Sequence, residues 1–121
     1  MLSYPLETVL AEKPETVLSR GIANTRGRDY YDICTLLRLK LGEIDKNSLH
    51  EAVVATASRR GSLGRMGDYE VVLSEVRSSD MMRGIWSSYV SASPYAADLD
   101  FDEAVDSAIE LARLSRLDDL R

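Results

Sequence analysis

The apolar residues of this chain recur at the spacing of an α-helix, and this pattern constrains the fold more than any other feature. The repeat is clearest near the C-terminus, in Phe101, Ala104, Val105, Ala108, Ile109, Ala112 and Leu117. No stretch alternates apolar and polar residues as a strand with one buried face does. The sequence therefore predicts an all-α fold, a single compact bundle of five to six helices that forms one domain over residues 1–121.

Composition narrows the class of protein. With 121 residues, 45% of them hydrophobic, the chain can bury one modest core. Its net charge of -5 argues against a general binder of nucleic-acid backbones. The single cysteine, Cys34, cannot form an internal disulfide and is predicted to pack on an apolar helix face. No apolar run is long enough for a membrane span, so we expect a soluble, cytoplasmic protein without membrane association.

Polar residues and glycines predict where the helices begin and end. Asp45, Asp80 and Asp100 each stand where they could cap a helix. The glycine-rich segment 62–67 is predicted to be a loop. His50 lies away from the apolar stripe of its helix, so we expect it at the surface. The Met and aromatic residues of segment 82–90 have helical spacing and are predicted to belong to the core.

A lysine lies inside the apolar stripe of the first predicted helix. At about 100° per residue, Lys13 falls between Val9 and Leu10 around the helix axis. Pro14 follows it and removes the N–H bond to the carbonyl of Leu10. We therefore expect a kink, or a break with a second short helix that starts at Pro14 and closes at Gly21.

Two aspartates follow in R-D-Y-Y-D, and two interpretations of them remain open. In the structural one, Lys13 extends its ammonium to water, Asp29 interacts with a helix dipole, and Asp32 pairs with Arg28. In the functional one, Lys13 faces both carboxylates in a cleft. The ammonium neutralises phosphate charge, a carboxylate accepts a proton, and Arg26 and Arg28 add forked donors to phosphate.

A complete metal-dependent site is not predicted within the chain. Gly61-Ser62 is similar to the start of a phosphate loop, and Asp98-Leu99-Asp100 and Asp100-Phe101-Asp102 are similar to paired carboxylates for Mg²⁺. The two features lie more than thirty residues apart, however, and the acidic residues precede a helix, where capping is their ordinary role. We predict no metal ligands here.

Two strings carry a resemblance to a known family. Residues 4–13, Y-P-L-E-T-V-L-A-E-K, and residues 19–33, S-R-G-I-A-N-T-R-G-R-D-Y-Y-D-I, resemble the second half of the AbiEii/AbiGii toxins. These are nucleotidyltransferase-fold toxins of type IV toxin–antitoxin and phage abortive-infection systems. The resemblance continues more loosely through residues 51–61, 86–89 and 94–96 to the final helix.

The resemblance implies roles for particular residues. The lysine of the family's A-E-K motif falls on Lys13, which would contact the nucleotide. The aspartate of its R-D-x-Y-D motif falls on Asp29, with Asp32 as the second acidic position and Arg28 as a basic neighbour. For the complete family enzyme it implies a nucleoside triphosphate and Mg²⁺. In some members it also implies transfer of nucleotides to the acceptor end of tRNA.

The chain departs from the family pattern in two places. Family members carry an upstream half with a glycine-serine loop and a D-x-D metal site, and Pro14 stands where the family has leucine. The leading hypothesis is a C-terminal helical part of an AbiEii-like toxin that needs an upstream half as partner, takes no cofactor alone and is inactive alone. The alternative is a non-catalytic helical module that binds an antitoxin or self-associates as a homo-oligomer.

Overall fold

Seven α-helices make up the part of the chain that the computed structural model describes, residues 6–21 and 27–120. They are α1 (Leu6–Arg20), α2 (Gly27–Lys40), α3 (Lys46–Arg60), α4 (Leu63–Gly67), α5 (Tyr69–Ser78), α6 (Asp80–Ala92) and α7 (Phe101–Leu114). Short 3-10 helices occupy Leu41–Glu43, Pro94–Ala96 and Leu117–Leu120. These ranges contain no strand, which confirms the all-α prediction. None of these helices has the length and hydrophobicity of a membrane span.

Helix α7 lies at the centre of the packing. It contacts α2 and α5 most extensively, while α1 packs along α3. The apolar stripe predicted for α7 is its buried face, where Ala104, Val105 and Ala112 are completely inaccessible to solvent. Cys34 belongs to the same core, as predicted.

Helix α1 is continuous through its proline. The predicted break at Pro14 is wrong, although the helix does end before Gly21, whose φ is +51°. Ala11 on one side of Pro14 and Val17 on the other are both buried in the core. Packing on both sides therefore offsets the cost of about 3 kcal/mol for a proline inside a helix.

Two of the predicted helix caps are confirmed. Asp45 accepts hydrogen bonds from the backbone N–H groups of Asn47 and Ser48 at the start of α3. Asp100 Oδ1 accepts from the N–H of Glu103 at 2.7 Å at the start of α7. In both, the carboxylate replaces partners that the first helical turn lacks.

The predicted cap of α6 is wrong by one residue. Ser79 Oγ accepts from the N–H of Met82 at 3.2 Å and is the cap. Ser79 has the extended backbone that a cap requires, with φ -85° and ψ 115°. Asp80 therefore lies in the first turn, where its charge still interacts favourably with the helix dipole.

The glycine-rich segment between α3 and α5 is helical, so the loop predicted for residues 62–67 is wrong. Met66 and Gly67 of α4 are buried, and Arg65 Nε donates to the carbonyl oxygen of Leu18 at 3.1 Å. Tertiary contacts of this kind stabilise a short helix whose glycines favour no helix by themselves.

His50 is half-buried, and the prediction of a surface position is wrong. Its Nδ1 lies 2.8 Å from the carbonyl oxygen of Ser115. Because a carbonyl oxygen only accepts, Nδ1 carries the proton. The bond ties α3 to the end of α7, a contact between residues far apart in the chain.

Candidate functional site

Lys13 of α1 lies against both aspartates of α2. Its Nζ is 3.0 Å from Oδ2 of Asp32 and 3.6 Å from Oδ1 of Asp29. The lysine stem places the charge between the two helices, and the spacing of three residues puts both carboxylates on the same side of α2. The structure thus brings together the three residues that the sequence singled out as candidate catalytic groups.

The three side chains differ in burial. Asp29 is 4% exposed, whereas Lys13 and Asp32 are 24% and 27% exposed. A carboxylate as buried as that of Asp29 requires hydrogen bonds or a cation, and the first turn of α2 and Lys13 provide favourable charge. Lys13 therefore does not extend freely into water. Ion pairs of this kind also occur as purely structural contacts, so the geometry alone assigns no function.

Of the two arginines predicted to bind phosphate, Arg28 lies among the described residues and Arg26 does not. Arg28 is exposed over 70% of its side chain, and its Nε lies 3.8 Å from Oδ2 of Asp32. It therefore joins the same cluster, as the structural interpretation of R-D-Y-Y-D also expected. Arg26 lies outside the described residues. The four charges of Lys13, Arg28, Asp29 and Asp32 cancel formally.

Three tyrosines from three different segments lie beside this cluster. Tyr89 and Tyr95 share a hydrogen bond of 2.9 Å between their hydroxyl oxygens, and the ring of Tyr31 meets that of Tyr95 edge-on at 5.0 Å. Burial and the bond to Tyr95 raise the pKa of Tyr89, and the charge of Asp32 raises it further. The aromatic rings therefore lie close enough to the ion pairs for the charge of Asp32 to act on Tyr89.

The sequence analysis missed this aromatic cluster. It assigned Trp86 and Tyr89 together to the core, but only Trp86 is buried, and its Nε1 donates to the carbonyl oxygen of Leu99 at 3.2 Å. Tyr89 is half-buried, and Tyr95 is 58% exposed. The available signal was Tyr31, which directly precedes Asp32, but its partners lie more than fifty residues away.

A surface groove of about 700 Å³ runs between the start of α2 and α6, and we call it the α2–α6 groove. Its walls are Gly27 and Arg28 of α2, and Met81, Gly84, Ile85, Ser88 and Tyr89 of α6. Lys13 is not among these residues. Arg28 lines the groove and also belongs to the ion-pair cluster. The cleft that the sequence predicted around Lys13 is therefore found beside Lys13 and not around it.

Gly27 sets how closely α2 approaches α6. A Cβ atom at this position would lie 2.9 Å from Cβ and 3.0 Å from Cγ of Tyr89. These are distances that packed carbon atoms do not adopt, so any other residue would push the helices apart. Gly27 therefore holds the R-D-Y-Y-D turn against the aromatic cluster.

Comparison with known families is decisive for the class of protein. The family described as nucleotidyl transferase AbiEii toxin, type IV TA system, matches residues 1–107. This chain belongs to the AbiEii family. The matched range includes all the candidate site residues and the α2–α6 groove. Neither the curated proteins nor the solved structures contain a match.

The described part of this AbiEii family chain shows no cluster of candidate metal ligands. It contains no group of three or more histidine, cysteine, aspartate or glutamate side chains that could hold a metal. The place between Asp29 and Asp32 is taken by the ammonium of Lys13. Asp102, from the D-x-D-like string, pairs with Arg77 and Arg83 instead.

The glycine-serine string of this AbiEii family chain has a structural partner. Gly61 ends α3 with a φ of +70°, and Ser62 Oγ donates to Oε1 of Glu15 at 3.0 Å. Arg60 Nη1 lies 2.5 Å from the other oxygen of this carboxylate. Glu15 is only 4% exposed, so this cluster joins α1 to the end of α3 through a buried charge.

Proposed function

We propose that this chain contributes Lys13, Asp29 and Asp32 to a nucleotide-transfer site of the AbiEii type. One observation carries the proposal: the lysine and the two aspartates that correspond to family motifs meet within 3.6 Å across two helices. Membership of a nucleotidyl transferase family supports assigning this contact to chemistry as well as to packing.

The proposed reaction is transfer of a nucleotide to a hydroxyl group, the acceptor end of tRNA being the acceptor that the resemblance implies. The hydroxyl oxygen forms a bond to the α-phosphorus, the bond to pyrophosphate breaks, and the hydroxyl proton passes to a carboxylate. The ammonium of Lys13 would stabilise the negative charge on the phosphate. Asp32, the more exposed aspartate, is the better placed proton acceptor, and Asp29 would position the lysine.

A metal-binding unit must complete such a site. When bound by that unit, Mg²⁺ would neutralise charge on the phosphates. The described residues offer no ligand set for it, and Lys13 already occupies the space between the aspartates. We therefore propose that a glycine-serine and D-x-D unit from elsewhere supplies the metal, and that residues 1–121 alone bind a nucleotide without transferring it.

The test measures binding and transfer separately. Binding of each of the four nucleoside triphosphates to the full chain is compared with binding to Lys13→Ala, with Lys46→Ala at an exposed position as the matched control. Lys13→Ala is expected to lower the affinity at least about tenfold, because it removes a charge-assisted contact to phosphate. Equal binding by Lys13→Ala, or transfer to tRNA by the unassisted chain, would overturn the proposal.

A second candidate is a non-catalytic module that binds an antitoxin or a second copy of the chain. Its support is a set of large apolar side chains exposed by more than half: Leu39, Val71, Met81 and Tyr95. Sedimentation velocity tests it directly. A monomer that does not change when the antitoxin of its own operon is added would exclude this candidate.

A further inference from the structure

We infer that the α2–α6 groove receives the base of the nucleotide whose phosphates lie at Lys13, an inference that rests on the proposed function. Arg28 connects the two places. It lines the groove, and its Nε lies 3.8 Å from the Asp32 oxygen that Lys13 contacts at 3.0 Å. One ligand can therefore extend from the ammonium past the guanidinium into the groove.

The walls of the groove suit a flat aromatic group. Met81 and Ile85 provide apolar surface, and Tyr89 provides an aromatic ring. Ser88 adds a hydroxyl group that can donate or accept a hydrogen bond, as the edge of a base requires. The volume of about 700 Å³ falls within the range of small-ligand sites, about 300–1,000 Å³.

The ring of Tyr89 is held in place before any ligand arrives. Its hydroxyl group is bonded to that of Tyr95 at 2.9 Å, and its ring packs on that of Trp86 with 5.6 Å between centroids. A ring fixed in this way loses little conformational freedom when a base packs against it. This favours the groove as a binding surface for an aromatic ligand.

Gly84 keeps the groove open at a cost to its helix. It lies inside the 13-residue helix α6, where glycine is less favourable than alanine. Its φ is not positive, and apart from its two chain neighbours and the backbone of its own helix, no described atom lies within 4 Å of where a Cβ would stand. Neither backbone conformation nor packing among the described residues requires glycine here. A side chain at this position would occupy the groove.

The charge at the end of the groove selects the kind of occupant. A cation, Arg28, stands at the rim of the groove, whose other walls are mainly apolar. The ammonium of Lys13 lies beyond it, paired with Asp29 and Asp32. The guanidinium of Arg28, 70% exposed, therefore offers an anionic tail a contact at the end of a groove that accepts an aromatic body. A nucleoside triphosphate has both parts, whereas the apolar side chain of a protein partner has no anionic tail.

The test distinguishes the contribution of the base to binding from that of the phosphates. Binding of ATP, GTP, CTP and UTP to the full chain is compared with binding of inorganic tripolyphosphate by titration calorimetry. At least one nucleotide is expected to bind about tenfold more tightly than tripolyphosphate, because of base packing. Gly84→Leu is expected to abolish this difference and leave tripolyphosphate binding unchanged. Gly42→Leu, at an exposed glycine with equally open surroundings, is the control.

Each outcome decides for or against the inference. If Gly84→Leu unfolds like the wild type and binds nucleotides equally well, the inference is overturned, while loss of binding in Lys13→Ala would still support the proposed function. If the wild type binds neither nucleotide nor tripolyphosphate, both this inference and the proposed function are overturned. If the wild type dimerises and Gly84→Leu does not, the groove is a contact between copies. Ser88→Leu fills the same groove from another exposed position and replaces Gly84→Leu should that variant fail to fold.

Discussion

The ammonium of Lys13 lies 3.6 Å from a carboxylate oxygen of Asp29, a side chain that is only 4% exposed. A charge this far from water is stable only with its partners, so the contact joins α1 to α2 by electrostatics as well as by packing. The same contact contains the candidate chemistry. Stability and function are therefore expected to respond together at this position, and the two have to be measured separately.

Lys13→Met is expected to destabilise the fold by about 2 kcal/mol. The substitution keeps the apolar stem but removes the cation from a buried carboxylate. Urea denaturation measures the loss, with Lys46→Met at an exposed position as control. In the double variant Lys13→Met/Asp29→Asn, part of the loss should be recovered, because the carboxylate charge that faced Lys13 is gone as well. Equal stability of the two lysine variants would contradict this.

Two buried tyrosines should respond in opposite ways to loss of the hydroxyl group. Among the described residues, Tyr30 Oη has no hydrogen-bond partner, whereas Tyr69 Oη donates to Asp118 at 3.0 Å. Tyr30→Phe removes an unsatisfied polar atom and should stabilise the protein by about 1 kcal/mol, while Tyr69→Phe should cost about 1 kcal/mol. Thermal or urea unfolding of both variants measures the contrast. Equal changes in the same direction would refute it.

Tyr30 also predicts a dependence of stability on pH. Burial, with a smaller effect from Asp29, raises the pKa of the Tyr30 hydroxyl in the folded state. The unfolded chain, whose tyrosines titrate near about pH 10, then binds fewer protons than the folded chain above that pH. This contribution to stability is complete below about pH 10 and is lost as the pH rises further. Tyr30→Phe should show a shallower loss between pH 9 and 11 (roughly the window set by the ordinary tyrosine pKa).

Arg60 and Arg59 are neighbours with different expected effects. Arg60 binds the buried carboxylate of Glu15, and this contact raises the pKa of the arginine. Arg60→Ala removes the ion pair and leaves the hydroxyl of Ser62 as the partner of Glu15 within this cluster, so we expect the variant to be less stable than the wild type. Arg59→Ala, at an exposed position, should change stability by less than about 0.5 kcal/mol. Chemical denaturation measures the free energy of unfolding of both variants. Equal losses in the two would contradict the role assigned to the contact between Arg60 and Glu15.

Gly27→Ala and Gly84→Ala add the same methyl group on either side of the groove. At Gly27 the methyl group would meet Tyr89, so a loss of about 1–3 kcal/mol is expected. At Gly84 it meets nothing, and the helix should gain up to about 1 kcal/mol. Unfolding curves for the two variants provide the comparison. A stabilised Gly27→Ala would show that α2 and α6 do not pack as closely as described.

Features that depend on neighbouring residues were predictable from the sequence. Asp45 and Asp100 cap their helices because a side chain and an N–H group two or three residues later are enough to form the bond. The cap of α6 was assigned one residue late, because Ser79 and Asp80 are both capping residues and only the backbone conformation distinguishes them. The contact between Lys13 and the two aspartates could be predicted, because Lys13 lies in the apolar stripe of its helix and the aspartates belong to a family motif on one side of the next helix.

Features that depend on distant partners were not predictable. The buried Glu15 contacts Arg60 and Ser62, at separations of 45 and 47 residues, and nothing in the local sequence indicates that pairing. The helicity of α4 and the continuity of α1 through Pro14 also follow from packing, which opposes the local preference in both helices. The contacts among Tyr31, Tyr89 and Tyr95 also join segments that are distant in the sequence.

Pro14 also has a consequence for the order in which the chain assembles. A helix that lacks one hydrogen bond in its middle is a poor nucleus, so α1 is not expected to form early by itself. It becomes stable when it packs along α3, which begins more than twenty residues after α1 ends. The ion pair of Lys13 with α2 requires α1 to be formed, so we expect the candidate site to form late in folding.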